Sequence, residues 1–440
     1  MRKYYQAALV LTAVISLISL LIYRHQYNKL RYVLEVFNYF GKHESRGANN
    51  SCISLNSTLT SFNPKFDEPI PSWQRLENDL YVYSAYNINY QSHKEIRAIG
   101  VGIITSVLNM QCLIFFENES KPILGNFNFI PISKYSSTVN NSTYRGYHFV
   151  CTYSSNEIPT GITFVTKSNR YLNYAPILPI RILPQHRDAN NRVGVCVLQS
   201  SVKSMLPSMM NMMGFISFHT SIGMDNFIIY DSGTPSKFNS GLKKMANDPY
   251  TVQRFTYIVI PWNFPFTEID EIITKEVAVA DCLYRSYNSV TYSIILSWNE
   301  YVVPRYHRTT VDLIMDIKKT ESTFDRYRMK AKLFCTQQSD NEKYANSTQT
   351  LFKKTKSSVA SKDSFVYIYH PHKMVHAELQ NYHKIRTTNI RENLISVHLY
   401  KHCEGGEDVK FVEDNTALRF VENLQNSWIF KKYRELYDLM

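Results

Sequence analysis

The alternation of hydrophobic and polar residues divides the chain into four stretches of different character. Residues 7–23 (AALVLTAVISLISLLIY) are uncharged and apolar apart from one threonine and two serines. Residues 24–70 become polar, and residues 71–185 show short apolar runs separated by clusters of Gly, Asn, Ser and Pro. Such runs are typical of strands joined by turns, so we expect a β-rich subdomain over residues 71–185. Candidate strands cover residues 80–83, 99–107, 112–116, 147–153 and 162–165.

The fourth stretch, residues 190–440, alternates between candidate strands and helices. Continuous apolar runs are typical of strands buried on both faces of a parallel sheet. A longer Met- and Phe-rich run that ends at Gly223 predicts a helix. In chain order the expected elements are strand 193–198, helix 204–222, strands 226–230 and 254–261, helix 268–287 and strand 294–296. This order predicts an α/β fold with a Rossmann-like, nucleotide-binding sheet.

A polar cluster, Ser297-Trp298-Asn299-Glu300, interrupts an apolar run that begins at Ile294 and resumes at Tyr301. In open α/β sheets, ligands bind outside the carboxyl ends of the strands. We therefore expect the chemistry of this chain at the cluster, where the last strand of the series ends.

The apolar segment 7–23 is long enough to cross a membrane. Seventeen helical residues span about 25 Å, which matches a thin bilayer of the early secretory pathway. A cleaved signal peptide is the alternative, but no small-x-small cleavage site follows the apolar run. The interpretation that we favour is a signal-anchor at residues 7–23, a cytosolic tail at 1–6 and a stem at 24–70. The protein would then be a single-pass type II membrane protein with its catalytic domain in the lumen.

Two further features favour a lumenal location for the rest of the chain. N-x-S/T glycosylation sequons begin at Asn49, Asn56, Asn118, Asn140, Asn141 and Asn346. The seven cysteines all follow the apolar segment, and they can form up to three disulfides with one thiol left over. Their pairing cannot be derived from the sequence. No C-x-x-C pair is present, which argues against zinc or thioredoxin-like chemistry.

The composition is that of a folded protein with a basic surface. A hydrophobic share of 44% argues against disorder, and the formal net charge is +12. The lysines and arginines are scattered, without zinc-finger spacing, an RNP-like motif or a basic helix. We therefore expect no nucleic-acid partner.

Several motifs, taken in order, resemble those of glycosyltransferase family 92 (the DUF23 family), whose members have a GT-A-type fold. They are VGVCVL (193–198), GMDNFIIYDS (223–232), ADCLYR (280–285), NEYVVP (299–304), the H-P-x-x-x-V-H segment (370–376) and SVHLYK (396–401). The last segment is similar to an H-Y-R motif of the family, although Leu399 stands in place of the histidine and His398 lies one position early. The resemblance covers roughly residues 190–410.

The resemblance implies transfer of a hexose, most simply galactose from UDP-galactose, with inversion. The acceptor would be a glycan on a glycoprotein or glycolipid, and the location would be the Golgi or the ER. Asp231, Asp281 and Arg285 would contact the donor, with Arg285 at a phosphate. Two alternatives remain open: Asp231 as the start of an Asp-Ser-Gly turn, and Asp281–Arg285 as a surface ion pair at helical spacing.

Mn²⁺ is the cofactor that the resemblance implies. Asn299, Glu300 and His383 are its candidate ligands, but Ser297 and Asn299 occupy the two aspartate positions of the family's D-x-D cluster. Mn²⁺ prefers hard oxygen ligands that include a carboxylate. The alternative is a strand-end turn without metal, with His383 as a surface residue.

The catalytic base of an inverting transferase is not identified by the sequence. Carboxylates in the expected part of the chain are Glu378, Glu404, Glu407 and Asp408. Two other functions stay open: a degenerate relative that binds a nucleotide-sugar or a glycan without turnover, and an adhesive cell-surface glycoprotein that has kept the fold.

Overall fold

A computed structural model describes residues 73–438 except 78, 91–92, 120, 168–174, 184–190, 200–207, 247–254, 267, 321–323, 359–363, 381–384 and 404–409; before residue 73 it describes Ser16 alone. The predicted tail and stem, and the predicted signal-anchor apart from Ser16, therefore lie outside the described residues. Among the residues that are described, no helix is long and apolar enough to span a membrane.

The first part of the fold consists of two mainly antiparallel sheets that share one strand, β10, so that all ten strands are continuous. Its strands run in the spatial order β5-β4-β9-β10-β2-β3-β8-β6, and β10 pairs with β2 in parallel. The strands are β1 (Gln74–Glu77), β2 (Leu80–Tyr90), β3 (His93–Ile103), β4 (Met110–Phe116), β5 (Ile123–Leu124), β6 (Asn126–Pro131), β7 (Ser137–Val139), β8 (Ser142–Thr152), β9 (Pro159–Thr166) and β10 (Leu178–Ile182). A β-rich architecture over this stretch agrees with the strand pattern of the sequence.

One boundary in this part differs from the expectation. The apolar run at residues 99–107 predicts a single strand, but β3 ends at Ile103 and a short helix, α1 (Ile104–Leu108), follows. The chain leaves one sheet here to begin β4 in the other. Val107 is buried while Leu108 is 56% exposed, so one turn of helix buries part of the run during the crossing.

The second part is a mixed sheet with helices on both faces. Its central strand order is β13-β12-β11-β14-β18-β16, and β11 to β14 are parallel. The strands are β11 (Val193–Leu198), β12 (Met224–Asp231), β13 (Thr256–Pro261), β14 (Tyr292–Leu296), β15 (Glu300–Pro304), β16 (Arg326–Cys335), β17 (Lys356–Ser358), β18 (Ser364–Tyr369), β19 (Thr387–Asn389), β20 (Ile395–Lys401) and β21 (Phe411–Glu413). This sheet agrees with the α/β fold that the strand and helix pattern predicts.

Helices connect these strands and complete the chain. They are α2 (Met209–Ser221), α3 (Ser236–Ala246), α4 (Glu271–Ser286), α5 (Thr310–Thr320), α6 (Thr350–Lys353), α7 (Pro371–Gln380), α8 (Val421–Asn426) and α9 (Trp428–Asp438), with 3₁₀ turns at Glu342–Tyr344 and Thr416–Phe420. Asp270 caps α4 by accepting a hydrogen bond from the backbone N–H of Ile272. The helix expected over residues 268–287 therefore begins at Glu271, one residue after its cap.

Side chains of β11 point alternately to the two faces of the sheet, and each face packs into a different hydrophobic core. Val195 and Val197 join α2 and α3 in the larger core. Cys196 and Leu198 point to the opposite face, where α4 and α7 pack together with aromatic residues of the first sheet such as Tyr83. Helix α4 is therefore sandwiched between the two sheets.

Three disulfides connect the cysteines of the described part of the chain: Cys112–Cys151, Cys196–Cys282 and Cys335–Cys403. The first joins β4 to β8, the second joins β11 to α4, and the third joins the end of β16 to the segment that follows β20. Cys52 is the cysteine left over. Three is the largest number of disulfides that seven cysteines can form within one chain.

Buried histidines make the fold sensitive to acid. His219 in α2 lies within 2.8 Å of the Phe215 carbonyl oxygen through Nδ1, and its Nε2 accepts a hydrogen bond from the backbone N–H of Val302. Burial lowers the pKa of His219 to about 3, and it lowers the pKa of His148 and of His398 to about 3 as well. These side chains are neutral in the folded protein at neutral pH.

We expect the free energy of unfolding to fall as the pH drops below about 6.5 toward 3. A lowered pKa means that the unfolded chain binds more protons in this window, so this stability is present above the unfolded pKa and is lost on acidification. Each histidine steepens the dependence by up to about 1.4 kcal/mol per pH unit. His219→Gln should flatten the pH dependence of the urea midpoint, whereas His402→Gln, an exposed control, should leave it unchanged. Equal slopes in the wild type and His219→Gln would contradict this account.

Candidate functional site

A tight turn joins β14 to β15 at the carboxyl edge of the sheet. The Glu300 side chain folds back over this turn, and its Oε2 accepts a hydrogen bond of 2.7 Å from the backbone N–H of Ser297. The backbone N–H of Glu300 donates in return to the Ser297 carbonyl oxygen at 2.9 Å. Glu300 is 7% exposed. The one carboxylate of the predicted cluster therefore stabilises the turn.

The two residues inside the turn are anchored in opposite ways. Trp298 packs into the larger core, 5.3 Å from the Phe215 ring and 5.6 Å from the Phe238 ring. Asn299 donates from Nδ2 to the Tyr400 carbonyl oxygen at 2.8 Å, and the Tyr400 N–H donates to the Asn299 carbonyl oxygen. The Asn299 Oδ1 atom is left for other contacts.

The SVHLYK segment, which is similar to an H-Y-R motif of the family, lies next to this turn. The segment forms β20, in which Leu399 pairs with Glu300 and His398 with Tyr301. His398 is buried and stacks on Phe334, with 4.4 Å between the ring centroids. The motif thus lies beside the turn, but its histidine points into the core.

The donor atoms at the turn do not complete a metal site. A divalent cation such as Mn²⁺ needs several oxygen ligands. Asn299 Oδ1 and the second oxygen of Glu300 are the candidates here, and one Glu300 oxygen is already occupied by an N–H. Among the described residues, no three His, Cys, Asp or Glu side chains come together as a metal site. His383 lies outside the described residues, so the Mn²⁺ assignment stays a prediction.

Asp231 lies at the same edge, at the end of β12. Its Oδ1 accepts hydrogen bonds from the backbone N–H groups of Gly233 at 2.8 Å and Thr234 at 2.6 Å. Gly233 has a φ of +125°, which a glycine adopts at little cost. These contacts are those of the Asp-Ser-Gly turn, the alternative left open above. Strands are about 4.8 Å apart, so Asp231 lies roughly 10 Å from the Ser297 turn, two strands away.

Asp281 and Arg285 form the predicted i, i+4 pair, but the pair lies inside the protein. Their side chains are 0% and 3% exposed, and Arg285 Nε donates to Asp281 Oδ2 at 2.5 Å. Three hydroxyls also donate to this carboxylate: Ser84 at 2.5 Å, Tyr86 at 2.6 Å and Tyr230 at 2.7 Å. The pair therefore ties α4 to β2 of the first sheet and to β12 of the second.

Electrostatics keep this carboxylate ionised. Burial alone would raise the pKa of Asp281, but the charge of Arg285 and the donated hydrogen bonds hold it below its usual value. Burial, reinforced by the charge of Asp281, raises the pKa of Tyr230 well above its usual value. The cluster thus holds the Asp281 anion, bonded to Arg285 with Arg181 also nearby, among neutral hydroxyls. Each Asp281 oxygen already accepts from two donors. Contact of Asp281 or Arg285 with a donor sugar stays a prediction.

Sequence reasoning did not find Ser84, Tyr86 and Tyr230 as partners of Asp281, because no local pattern marks them. The candidate bases Glu404, Glu407 and Asp408 and the side chain of Glu378 lie outside the described part. Four sequon asparagines are described and all four are exposed: Asn118, Asn140, Asn141 and Asn346. Asn140 and Asn141 have positive φ in the turn between β7 and β8. Asn49 and Asn56 are outside the described residues.

The family is decided by a match of the whole second part. The model of "Glycosyltransferase family 92" matches residues 192–435, more than half of the chain. The chain belongs to glycosyltransferase family 92. The resemblance noted in its motifs is thereby confirmed, and the sheet, the Ser297–Glu300 turn and the Asp281–Arg285 pair all lie within the family 92 region. Membership supports a glycosyltransferase in general, with a nucleotide-sugar donor and a glycan acceptor.

Other comparisons add little to the family 92 assignment. No curated protein matches the chain. Two solved structures align over about half of it: an apo UDP-glucose pyrophosphorylase at 5% identity and a TM-score of 0.24, covering 56% of this chain and 98% of the other; and a UDP-glucose pyrophosphorylase complexed with UDP-glucose at 8% identity and a TM-score of 0.22, covering 57% and 99%. TM-scores this low support no inference about fold or function.

Proposed function

We propose that this family 92 protein transfers a hexose, galactose from UDP-galactose in the first instance, to a glycan acceptor with inversion. The observation that carries the proposal is the family 92 match over residues 192–435. The positions of Asp231 and of the Ser297–Glu300 turn support it. Both lie at the carboxyl edge of β11, β12 and β14, the edge where α/β sheets bind ligands. Asp231 Oδ2 is the carboxylate atom that could accept a hydrogen bond from the nucleoside.

The proposed location is the lumen of the Golgi or the ER, with residues 7–23 as a type II anchor. Three disulfides support an oxidising compartment. Four sequon asparagines on exposed turns support it too. Treatment of the expressed chain with an enzyme that removes all N-glycans tests this, since a lumenal chain would lose mass and a cytosolic chain would show no change.

A specific observation favours a second candidate, namely donor binding without metal-dependent turnover. Ser297 and Asn299 are neutral, and Glu300 is turned onto the backbone of its own turn. A site built in this way neutralises little of the charge of a diphosphate. The purified full-length chain should therefore be assayed with a panel of UDP-sugars in Mn²⁺ and in EDTA. Transfer that depends on Mn²⁺ supports the first candidate, whereas a UDP-induced rise in melting temperature without transfer, equal in both media, supports the second.

Substitutions of Glu300 separate its structural role from metal ligation. Glu300→Gln keeps an oxygen that can accept the Ser297 N–H, so we expect its free energy of unfolding to stay near that of the wild type. Glu300→Ala leaves that buried N–H without an acceptor and should cost about 1–3 kcal/mol. Urea unfolding measures both. If Glu300 also binds metal, Glu300→Gln should lose Mn²⁺-dependent transfer while it keeps its stability. A Glu300→Gln variant as unstable as Glu300→Ala would contradict the hydrogen-bond account.

A further inference from the structure

A groove of about 790 Å³ runs along the face of the second sheet that carries α4. One wall is α4, where Lys275 and Glu276 line it, and the opposite wall is the loop that contains Lys134 and Tyr135. The floor is formed by β14, β16 and β18. Of the predicted donor and metal residues that the structure describes, Asp231, Asp281, Arg285, Asn299 and Glu300, none lines this groove.

The strand registers place the groove beside the candidate site. β18 runs antiparallel to β14, and Ile294 pairs with Ile368. Ser364, at the start of β18 and in the lining of the groove, therefore lies level with Trp298 of the β14–β15 turn. The groove begins at the carboxyl edge and extends down the sheet for about 17 Å, the rise of five residues, to the level of Ser293.

The floor carries a basic stripe in which lysines and arginines have different partners. Arg326, Arg328, Lys330 and Lys332 alternate along β16, so their side chains leave the same face of the sheet. Arg326 lines the groove, and Arg328 lies next to it on this face, stacked on Phe365 of the lining. Lys330 and Lys332 line a neighbouring depression. Lys330 forms an ion pair with Glu392 at 3.3 Å, and Lys332 forms one with Asp414 at 2.8 Å. Within the described residues, neither arginine forms an ion pair with a carboxylate.

The two arginines are nevertheless held in place. Arg326 Nε donates to Thr387 Oγ1 at 2.8 Å, and the guanidinium lies 4.5 Å from the centroid of the Tyr367 ring. Arg328 Nε donates to Asn389 Oδ1 at 2.6 Å, and its guanidinium lies 4.2 Å from the Phe365 centroid. A guanidinium fixed through Nε and stacked on a ring loses little entropy when its terminal nitrogens bind a planar anion in a bidentate manner.

The charge of the groove complements an anion. Its charged lining residues are three cations, Lys134, Lys275 and Arg326, and one anion, Glu276. Burial raises the pKa of Glu276, against the effects of its hydrogen bond to Ser133 and of Arg326, so its negative charge is disfavoured. Tyr135 is 47% exposed at the rim, and its apolar ring face is accessible to a pyranose.

We propose that this groove binds an acidic saccharide, as the part of the acceptor glycan that lies beyond the sugar receiving the hexose. A carboxylate or sulfate of that saccharide binds Arg326 bidentately in the groove, with the charge of Arg328 beside it on the same strand face, and Tyr135 contacts a ring. The anionic group cannot be on the reacting sugar itself, because Arg326 lies level with Ser293, five residues down the sheet from Trp298 at the edge. This assignment rests on the proposed function and names the chemistry of its acceptor.

The test is direct binding of acidic saccharides to the purified full-length chain by titration calorimetry. The probes are oligosaccharides containing glucuronic acid, sialic acid or sulfate, each with a neutral counterpart in which the charged group is reduced or removed, and inorganic phosphate. We expect at least one acidic probe to bind at least tenfold more tightly than its neutral counterpart and than phosphate. The double variant Arg326→Gln/Arg328→Gln should abolish this difference.

Two further variants guard against a trivial result. Lys330→Gln removes a charge from the same strand face, but that charge already pairs with Glu392, so binding should stay unchanged. Lys134→Glu acts on an exposed loop residue that is expected not to affect folding, and it should weaken binding severalfold. Equal binding of charged and neutral probes, equal binding of phosphate, or no binding of any acidic probe overturns the proposal.

The outcome is separable from that of the proposed function. The rise in melting temperature caused by UDP reports on the donor site, and it should be the same in the wild type and in Arg326→Gln/Arg328→Gln. Loss of acidic-saccharide binding with an unchanged UDP effect supports the groove. No UDP effect in the wild type counts against the proposed function and leaves saccharide binding to be judged on its own measurement.

Discussion

Asp281→Asn is expected to lower the free energy of unfolding by about 3–5 kcal/mol. The substitution removes the carboxylate that, among the described residues, pairs with the buried guanidinium of Arg285, and Arg285 then remains charged in the core. Ser84, Tyr86 and Tyr230 lose an anionic acceptor at the same time. Urea unfolding of the full-length chain measures the loss.

A matched control is available on the surface. Asp225 pairs with Arg192 at 3.3 Å, and the side chains are 37% and 38% exposed. Asp225→Asn should change the free energy of unfolding by less than about 1 kcal/mol, because water screens and replaces the lost interaction. The double variant Asp281→Leu/Arg285→Met should be less destabilised than Asp281→Asn, since it leaves no unpaired charge.

The same variants bear on the donor-binding prediction. If Asp281 acts only in the core, its loss lowers stability, and the variant that remains folded binds UDP as the wild type does. An Asp281→Asn chain of normal stability that no longer binds UDP would contradict the structural role. That result would restore the donor contact implied by the family.

Loss of the Cys196–Cys282 disulfide should be the other large effect. The bond closes a loop of 86 residues between β11 and α4, so its removal releases the unfolded chain from a long-range constraint. Cys196→Ala/Cys282→Ala should lower the free energy of unfolding by about 2–5 kcal/mol. Thermal and urea unfolding under non-reducing conditions test this.

Cys52→Ala is the control for the disulfide experiment. It removes a cysteine while all three disulfides of the described residues remain, so the unfolding midpoint should not move. A double alanine variant as stable as Cys52→Ala would show that α4 is held by its packing and by the Asp281–Arg285 pair alone. Because α4 lies between both sheets, the disulfide and the ion pair stabilise the same element.

The local pattern of the sequence was sufficient to predict the main strands and helices of the family 92 sheet. VGVCVL is fully buried as β11, and the acidic start at Asp270 caps α4. These features follow from short-range rules, namely apolar runs for buried strands and side-chain caps for helix starts. Where the chain had to change sheets after Ile103, the same rules predicted a strand too long.

Such short-range rules predict only part of the candidate site. The position of the Ser297–Glu300 turn at a strand end follows from the polar interruption of an apolar run. That Glu300 bonds its own turn, and that Asn299 is anchored to Tyr400, depends on β20, which is a hundred residues away in sequence. The direction of a side chain at a turn depends on the residues that it contacts, and the sequence pattern does not identify those residues.

The sequence by itself determined the family, the order of strands and helices in the second part, and the i, i+4 spacing of Asp281 and Arg285. Only the tertiary structure decided that this pair is buried, because Ser84 and Tyr86 come from β2, nearly two hundred residues earlier. It also decided which cysteines pair and that Arg326 shares one groove with Lys134 of the β6–β7 loop. The physical reason is common to all three. Burial and charge environment are set by contacts between distant segments, whereas periodicity and capping act within a few residues.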